Sequence, residues 1–110
     1  MSTLTKIGLV TDSPCDLPLD LVEKFQIEVV PAILVLDGQS YIDGETISRE
    51  EFYRRLPSLH AAPSTAAPSP LTFAARYEKL LSADCGHVIC ISTAASLTSL
   101  HNVARTAAAD

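Results

Sequence analysis

Two short apolar runs, one near each end of the chain, constrain its fold more than any other feature. Residues 6–11 (KIGLVT) and 87–92 (HVICIS) are mostly apolar, and each leads into polar residues typical of a turn. Runs of this kind are typical of strands buried on both faces of a parallel sheet. Segments with helical periodicity lie between them, and this alternation predicts an α/β fold. Its mostly parallel sheet is expected to be flanked by helices and joined by right-handed crossovers.

The middle of the chain interrupts this alternation with a β-hairpin. Residues 29–36 (VVPAILVL) predict a strand, in which Pro31 marks an edge position or an entry point because proline cannot donate a ladder hydrogen bond. Asp37-Gly38 follows, and this dipeptide between two extended runs is a strong hairpin signal. Residues 39–42 therefore return as a short strand.

Capping residues mark the helix starts. Residues 48–51 (SREE) form a capping box, which predicts a helix over residues 49–56. Ser69 precedes Pro70, so another helix begins there, and Gly86 separates this helix from the next strand. A further helix is predicted to open at residue 16 or 17. The last predicted helix carries apolar and small residues on one face: Leu97, Leu100, Ala104 and Ala107.

Charge and composition exclude several classes of partner. The net charge is −5 and the 8 basic residues are dispersed, which argues against nucleic acid. No apolar run is long enough to span a membrane. The odd number of cysteines, 3, favours a reduced, cytoplasmic compartment. Residues 85–87 (CGH) lack a second Cys/His pair at ligand spacing, so we expect neither a metal nor another cofactor.

The hydroxyl-rich segment 63–70 (PSTAAPSP) is the leading candidate for a binding site. It places Ser64 and Thr65 on an extended loop directly before a helix N-terminus. Small side chains leave room for a ligand near the backbone, and the free N–H groups of a helix start favour an anion. The same pattern is also typical of a capped linker, and that alternative stays open.

Two other polar loops are expected at the same edge of the sheet. Asp12-Ser13 follows the first strand, and residues 92–99, with Ser92, Thr93 and Ser96, follow the last. Ligands of parallel sheets bind outside the carboxyl ends of the strands, so the three loops are expected to converge. Asp12 and Ser13 serve equally well as caps of their turn, and Ser96 as a helix N-cap. No glycine-rich phosphate-binding motif or nucleophile elbow is present, which disfavours an enzyme.

Several motifs, in order and spacing, resemble the DegV family of bacterial fatty-acid-binding proteins. They are Val10-Thr11-Asp12-Ser13, Asp16-Leu17-Pro18, Val29-Val30-Pro31, Asp37-Gly38, Tyr41 with Asp43-Gly44, Phe52-Tyr53, and residues 63–70. The resemblance implies a two-domain fold that buries a long-chain fatty acid and holds its carboxylate with hydroxyls of the first lobe. It also implies presentation of the acid to a separate fatty acid kinase subunit, so the binding protein itself is not the catalyst.

Carried over residue by residue, the family's carboxylate contacts fall on both hydroxyl-rich loops. The resemblance places Thr65 and Ser64 in the first loop, where Ala66-Ala67 replaces a polar Ser-Gln pair of the family. In the second loop it indicates Ser92 and Thr93, and then Ser96. Leu97 stands where the family has glycine, and its bulky side chain would block the close approach of a carboxylate at that position. The second carboxylate ligand is therefore either Ser96 or Ser92.

Family members are much longer than this chain. The resemblance therefore assigns residues 1–110 to the N-terminal α/β lobe, without the second lobe, and a half-tunnel of this kind is expected to self-associate through its exposed apolar surface. Two other functions stay open: an interaction module that has lost lipid binding, and an enzyme acting on a small anion at the strand ends.

Overall fold

The structure, a computed structural model, describes residues 6–109 as two three-stranded sheets with four α-helices and two short 3-10 turns. The strands are β1 (Lys6–Asp12), β2 (Glu28–Val30), β3 (Ile33–Leu36), β4 (Gln39–Ile42), β5 (Ser64–Ala66) and β6 (Cys85–Ile91). The helices are α1 (Leu19–Lys24), α2 (Arg49–Arg55), α3 (Pro70–Ser82) and α4 (Leu100–Ala109). The 3-10 turns cover Ser13–Cys15 and Leu56–Ser58.

The first sheet is parallel, as the apolar runs predict, and has the strand order β2-β1-β6. Val10 on the central strand lies opposite Glu28 on one side and Cys90 on the other. Helices α3 and α4 pack together on one face of this sheet. The core lies between helices and sheet, and its buried members include Val10, Val30, Phe73, Leu80, Leu100 and Ala104.

Close packing and ion pairs fix α3 against the sheet. Gly8 permits the close approach of Leu80, because a Cβ there would lie 2.9 Å from Leu80 Cδ1 and 3.0 Å from Leu80 Cβ. Glu28 Oε1 on β2 accepts hydrogen bonds from Arg76 at 3.2 Å and Lys79 at 3.0 Å. Burial by itself raises the pKa of Glu28, but hydrogen bonds from Lys79 and Arg76 outweigh it and lower that pKa below its ordinary value.

The second sheet is antiparallel, with the order β4-β3-β5, and contains the predicted hairpin. Leu36 pairs with Gln39 across the turn, where Asp37 and Gly38 adopt φ values of 47° and 81°. Positive φ at both central residues is the conformation for which Asp-Gly is favoured, so the hairpin prediction is confirmed. The segment with Ser64 and Thr65, predicted as a loop, is strand β5 on the other side of β3.

The predicted strand 29–36 was wrong in one respect, because it divides into two strands that belong to different sheets. β2 ends at Val30 and β3 begins at Ile33. Pro31 has no N–H to donate, and the N–H of Ala32 donates instead to Ser13 Oγ at 2.9 Å. The chain therefore leaves the parallel sheet at this point and enters the antiparallel one.

The prediction that the last strand is buried on both faces is also wrong. β6 is an edge strand, and Ile89 and Ile91 on its open face expose 47% and 64% of their surface. Val88 and Cys90 alternate with them and pack on the core. The strand already begins at Cys85, so Gly86 lies inside it, and the chain instead turns at Asp84, where φ is 65°.

Helix starts follow the capping signals at two of the four sites. Ser48 Oγ accepts a hydrogen bond from the N–H of Glu51 at 3.1 Å, and α3 begins at Pro70 behind Ser69. Helix α1 begins at Leu19, later than predicted, because Pro18 disfavours helical geometry in the residue before it. Helix α4 begins at Leu100 rather than near Leu97, after a turn that spans residues 95–97.

Candidate functional site

Asp12 joins the carboxyl ends of β1 and β6. Its side chain is buried, with 0% exposed. Oδ2 accepts a hydrogen bond from the Thr93 N–H at 2.6 Å, and Oδ1 accepts one from the Thr93 hydroxyl at 2.8 Å. The Thr11 hydroxyl donates to the carbonyl of Ile91, the last residue of β6, at 2.7 Å. Asp12 thus has a structural role that engages both of its oxygens and fixes the start of the 92–99 loop.

Ser13 holds the neighbouring loop in place. Its Oγ accepts the Ala32 N–H at 2.9 Å, and its carbonyl accepts a hydrogen bond from the Arg49 guanidinium at 3.0 Å. Arg49 also pairs with Asp16 at 3.0 Å, on the turn that follows. The side chain of Asp12 does not cap the turn at Ser13–Cys15, and the Ser13 hydroxyl instead links the ends of β1 and β2.

Ser64 and Thr65 lie on β5 with both side chains exposed. Thr65 is opposite Leu34 on β3, and Ala66 is opposite Ile33. Ile33 directly follows Ala32, whose N–H donates to Ser13. The carboxyl end of β5 therefore lies beside the loops after β1 and β2. Within residues 6–109, neither hydroxyl has a hydrogen-bond partner, so both stay available to a ligand.

The N-terminus of α3 follows β5 after three residues and lies at the same edge. Ser69 occupies the N-cap position with extended backbone (φ −67°, ψ 157°), but its hydroxyl makes no capping hydrogen bond. Pro68 before it is buried, and Ala67 packs against the core. The positive end of this 13-residue helix is therefore held rigidly and carries no side-chain cap.

In the 92–99 loop the three candidate hydroxyls differ in their surroundings. Thr93 is engaged with Asp12, Ser92 is half-buried, and Ser96 is exposed in a turn closed by the Leu97 N–H and the Ala94 carbonyl at 2.9 Å. Ser96 does not cap α4, because the Leu100 N–H bonds to Thr98 Oγ1 at 3.1 Å. Leu97 exposes 79% of its surface and is not among the residues with positive φ, so the backbone has no need of a glycine there.

Taken together, these contacts bring the three strand-end loops to one edge of the parallel sheet. Asp12 binds the loop after β6, and Ser13 binds the loop after β2, which leads into β3. β5 pairs with β3 beside this loop and is followed by α3. In the described part of the chain, no hydrogen bond connects Ser64 or Thr65 to Ser92 or Ser96. The hydroxyls of β5 and of the 92–99 loop are thus separate groups on a common edge.

The sequence did not predict a groove of about 520 Å³ beside the open edge of β6, between α3 and α4. Its lining includes Tyr77, Cys90, Ser92, His101 and Arg105. Burial raises the pKa values of the Tyr77 phenol and the Cys90 thiol, and the phenol donates to the Ala104 carbonyl at 3.0 Å. The signal that could have revealed this groove is the helical spacing of residues 101 and 105 on α4.

The groove does not resemble a nucleophilic centre. A thiol with a raised pKa is a poor nucleophile, since the thiolate is the reactive form. Ser92 and His101 line the same groove, but no hydrogen bond joins them in residues 6–109. Over the same residues, no group of three His, Cys, Asp or Glu side chains could hold a metal ion.

Between residues 6 and 109, no helix has both the length and the apolar character needed to cross a membrane.

Comparison with known proteins gives a family match over nearly the whole chain. The model of the family described as "Uncharacterised protein, DegV family" matches residues 6–110. A DegV domain-containing protein of Caldanaerobacter subterraneus is 44% identical over 78 residues, which cover 71% of this chain and 28% of that protein. One from Clostridium acetobutylicum is 37% identical over 100 residues, covering 90% of this chain and 35% of the relative.

Solved structures with the same fold include proteins described by their lipid binding. A fatty-acid-binding DegV family protein from Thermus thermophilus has a TM-score of 0.83 at 35% identity and covers 96% of this chain. A stearic-acid-binding protein from Eubacterium ventriosum has a TM-score of 0.83 at 31% identity over 96% of this chain. The present chain spans 37% and 36% of those two chains, respectively.

Proposed function

This chain belongs to the DegV family, and on that premise we propose that it binds the carboxylate of a long-chain fatty acid with the hydroxyls of its strand-end loops. The solved relatives above 25% identity that are described as binding fatty acids support the ligand class. The hydroxyls of Ser64 and Thr65 on β5, exposed and without a hydrogen-bond partner among residues 6–109, are the observation that carries the proposal for this chain.

The chemistry at this edge suits a carboxylate. A hydroxyl that donates to an ionised oxygen makes a charge-assisted hydrogen bond, which is roughly twice as strong as one between neutral groups. The α3 N-terminus adjoins β5 without a side-chain cap, and such a terminus adds about 0.3–1 kcal/mol for a nearby anion. We assign the first carboxylate contact to Thr65, with Ser64 beside it in sequence.

The second contact comes from the 92–99 loop. Thr93 already donates its hydroxyl hydrogen to Asp12, so it is the weakest of the three candidates. Ser96 and Ser92 are not committed in this way, and Ser96 is the more exposed. Asp12 and Ser13 serve the site by holding these loops, and the Ser13 hydroxyl keeps its hydrogen for a ligand.

Most of the affinity for a long acid comes from its hydrocarbon chain, at about 0.8 kcal/mol per buried CH₂. The chain described here spans 28% and 35% of the curated relatives it matches. We therefore propose that it forms the N-terminal lobe of a two-lobe binding protein, which presents the acid to a fatty acid kinase subunit. Its three free cysteines support a reduced, cytoplasmic location.

Native mass spectrometry of the purified chain, followed by denaturation and lipid extraction, tests the binding proposal. We expect a released fatty acid in near-stoichiometric amount, or uptake of added palmitate or oleate. A folded protein that stays empty in both experiments would favour the interaction module without lipid binding. Turnover of a small anionic ester would favour the enzyme.

We also propose that the lobe self-associates through the open edge of β6. Edge strands normally carry a charge, a proline or a bulge that prevents further pairing. β2 has only 3 residues and carries Glu28, and β5 lies between Pro63 and Pro68. β6 has 7 residues with neither a proline nor an acidic, lysine or arginine side chain, and the register shift in its pairing with β1 lies between Cys85 and His87, ahead of the regularly paired residues 88–91. A second copy that pairs its own β6 antiparallel around a two-fold axis covers this edge without charge repulsion.

A lysine on this strand should abolish the dimer. Ile91 is 64% exposed on the open face, so Ile91→Lys adds the charge that protected edges carry, with little cost to the core. Light scattering and sedimentation should show a wild-type dimer and an Ile91→Lys monomer. Leu19→Lys, at a site 71% exposed on α1, is the matched control and should stay dimeric. If the wild-type protein is a monomer at all concentrations, the proposal of self-association through β6 is refuted.

A further inference from the structure

The turn between β3 and β4 contacts the chain just before β5. Asp37, at φ 47°, turns its side chain back across the sheet. Its carboxylate accepts hydrogen bonds from the His60 N–H, at 3.0 and 3.2 Å to the two oxygens, and from the Ala61 N–H at 3.3 Å. Asp37 therefore connects the hairpin to a segment 23 and 24 residues further along the chain.

Strand β5 has little else to fix its register at this end. It has 3 residues, and the preceding residue is Pro63, which cannot donate a ladder hydrogen bond. At the other end, Pro68 is buried and Ala67 packs on the core. The bonds to Asp37 and the burial of residues 67–68 are thus the two attachments that bracket the strand.

The register decides which hydroxyl faces the ligand. Ser64 and Thr65 are consecutive residues of a strand, so their side chains point to opposite faces of the sheet. A slip by one residue exchanges those faces, and a short strand at a sheet edge resists slippage only through its attachments. Correct presentation of Thr65 therefore depends on the chain being held on the amino side of β5.

We propose that Asp37 is a positioning residue of the fatty acid site: its carboxylate fixes the register of β5 and thereby the face on which Thr65 lies. Asp37 contacts no ligand in this scheme and acts through the backbone of His60 and Ala61. The inference rests on the proposed function for its effect on binding, whereas its effect on β5 can be measured without any ligand.

Asp37→Gly is the most informative variant. Glycine adopts a positive φ without strain, so the substitution removes the carboxylate and leaves the Asp-Gly turn as an allowed Gly-Gly turn. We expect amide exchange in β5 to accelerate at least about tenfold, and palmitate affinity to fall by about tenfold, as for one lost hydrogen bond to a charged group. Asp37→Asn keeps an acceptor oxygen and tolerates the same φ, so it should restore most of both properties.

Asp84→Gly is the matched control, because Asp84 also has a positive φ, 65°, and is exposed in the turn before β6. It should leave β5 exchange and palmitate affinity at wild-type values. Unchanged β5 exchange in Asp37→Gly would overturn the inference. An Asp37→Asn variant that loses as much β5 protection and palmitate affinity as Asp37→Gly would overturn it too. If the wild-type protein binds no palmitate, the proposed function fails, and β5 exchange in the ligand-free variants still decides the role of Asp37.

Discussion

Replacing Thr65 with alanine should lower the affinity for palmitate by about 10- to 100-fold, the loss of roughly 1.5–3 kcal/mol expected for one hydrogen bond to a charged group. The fold should not change. The Thr65 side chain is exposed on β5 and has no internal hydrogen bond among the described residues, so the free energy of unfolding should shift by less than about 0.5 kcal/mol. Isothermal titration with palmitate and thermal denaturation measure the two quantities separately.

Three further variants make the Thr65 experiment specific. Thr65→Ser keeps the hydroxyl and should retain affinity close to that of the wild-type protein. Ser82→Ala removes an exposed hydroxyl at the last residue of α3, far from its N-terminus, and should have no effect. Ser64→Ala tests the opposite face of β5, and a larger loss there than in Thr65→Ala would assign the carboxylate contact to Ser64. Wild-type affinity in Thr65→Ala would contradict the assignment.

The sequence predicted elements whose signals are local. The Asp37-Gly38 hairpin depends on two residues with positive φ, and the Ser48 cap depends on one side chain within its own helix turn. Both were confirmed. The parallel sheet was also predicted, since apolar runs such as residues 6–11 carry their own signal, although Ile7 in that run is 52% exposed.

Elements that depend on distant partners were harder to predict. An apolar run does not reveal whether both faces of its strand will be covered, so the exposure of Ile89 and Ile91 on β6 could not be foreseen. The break after Val30 depends on Ser13, whose hydroxyl receives the Ala32 N–H from 19 residues away. Strand β5 has only 3 residues and is specified by β3 and Asp37 rather than by its own sequence.

The candidate site likewise has features that were evident in the sequence and features that depend on distant contacts. The hydroxyl-rich composition of the two loops was evident in the sequence, and so was their position after strands. The pairing of Asp12 with Thr93 was not evident in the sequence, because 81 residues separate the two and either side chain could equally have faced a ligand. In the structure Asp12 binds Thr93 and fixes the start of the loop after β6, whereas the side chains of Ser64, Thr65 and Ser96 are exposed.

Asp12→Ala should be the most destabilising of the substitutions considered. Asp12 is fully buried at the carboxyl end of the central strand and accepts two hydrogen bonds from Thr93. Alanine leaves the N–H and the hydroxyl of Thr93 without their acceptor, at a cost of about 2–4 kcal/mol. For a domain of this size, each kcal/mol corresponds to about 4–8 °C, so we expect the melting temperature to fall by more than about 10 °C. Circular dichroism during thermal unfolding provides the measurement.

The design of this last experiment separates the lost hydrogen bonds from the cavity that alanine creates. Asp12→Asn preserves the shape and one acceptor oxygen, so it should cost about half as much as Asp12→Ala. Thr93→Val removes only the hydroxyl, and combining it with Asp12→Ala should cost less than the sum of the two, because both remove the same bond. Asp20→Ala, on the exposed face of α1, controls for general loss of charge. Additive effects of Asp12→Ala and Thr93→Val would mean that the bond from the Thr93 hydroxyl to Asp12 contributes nothing to stability. The two strand ends would then be held by the bond from the Thr93 N–H to Asp12, by the Thr11 hydroxyl and by the backbone pairing of β1 with β6.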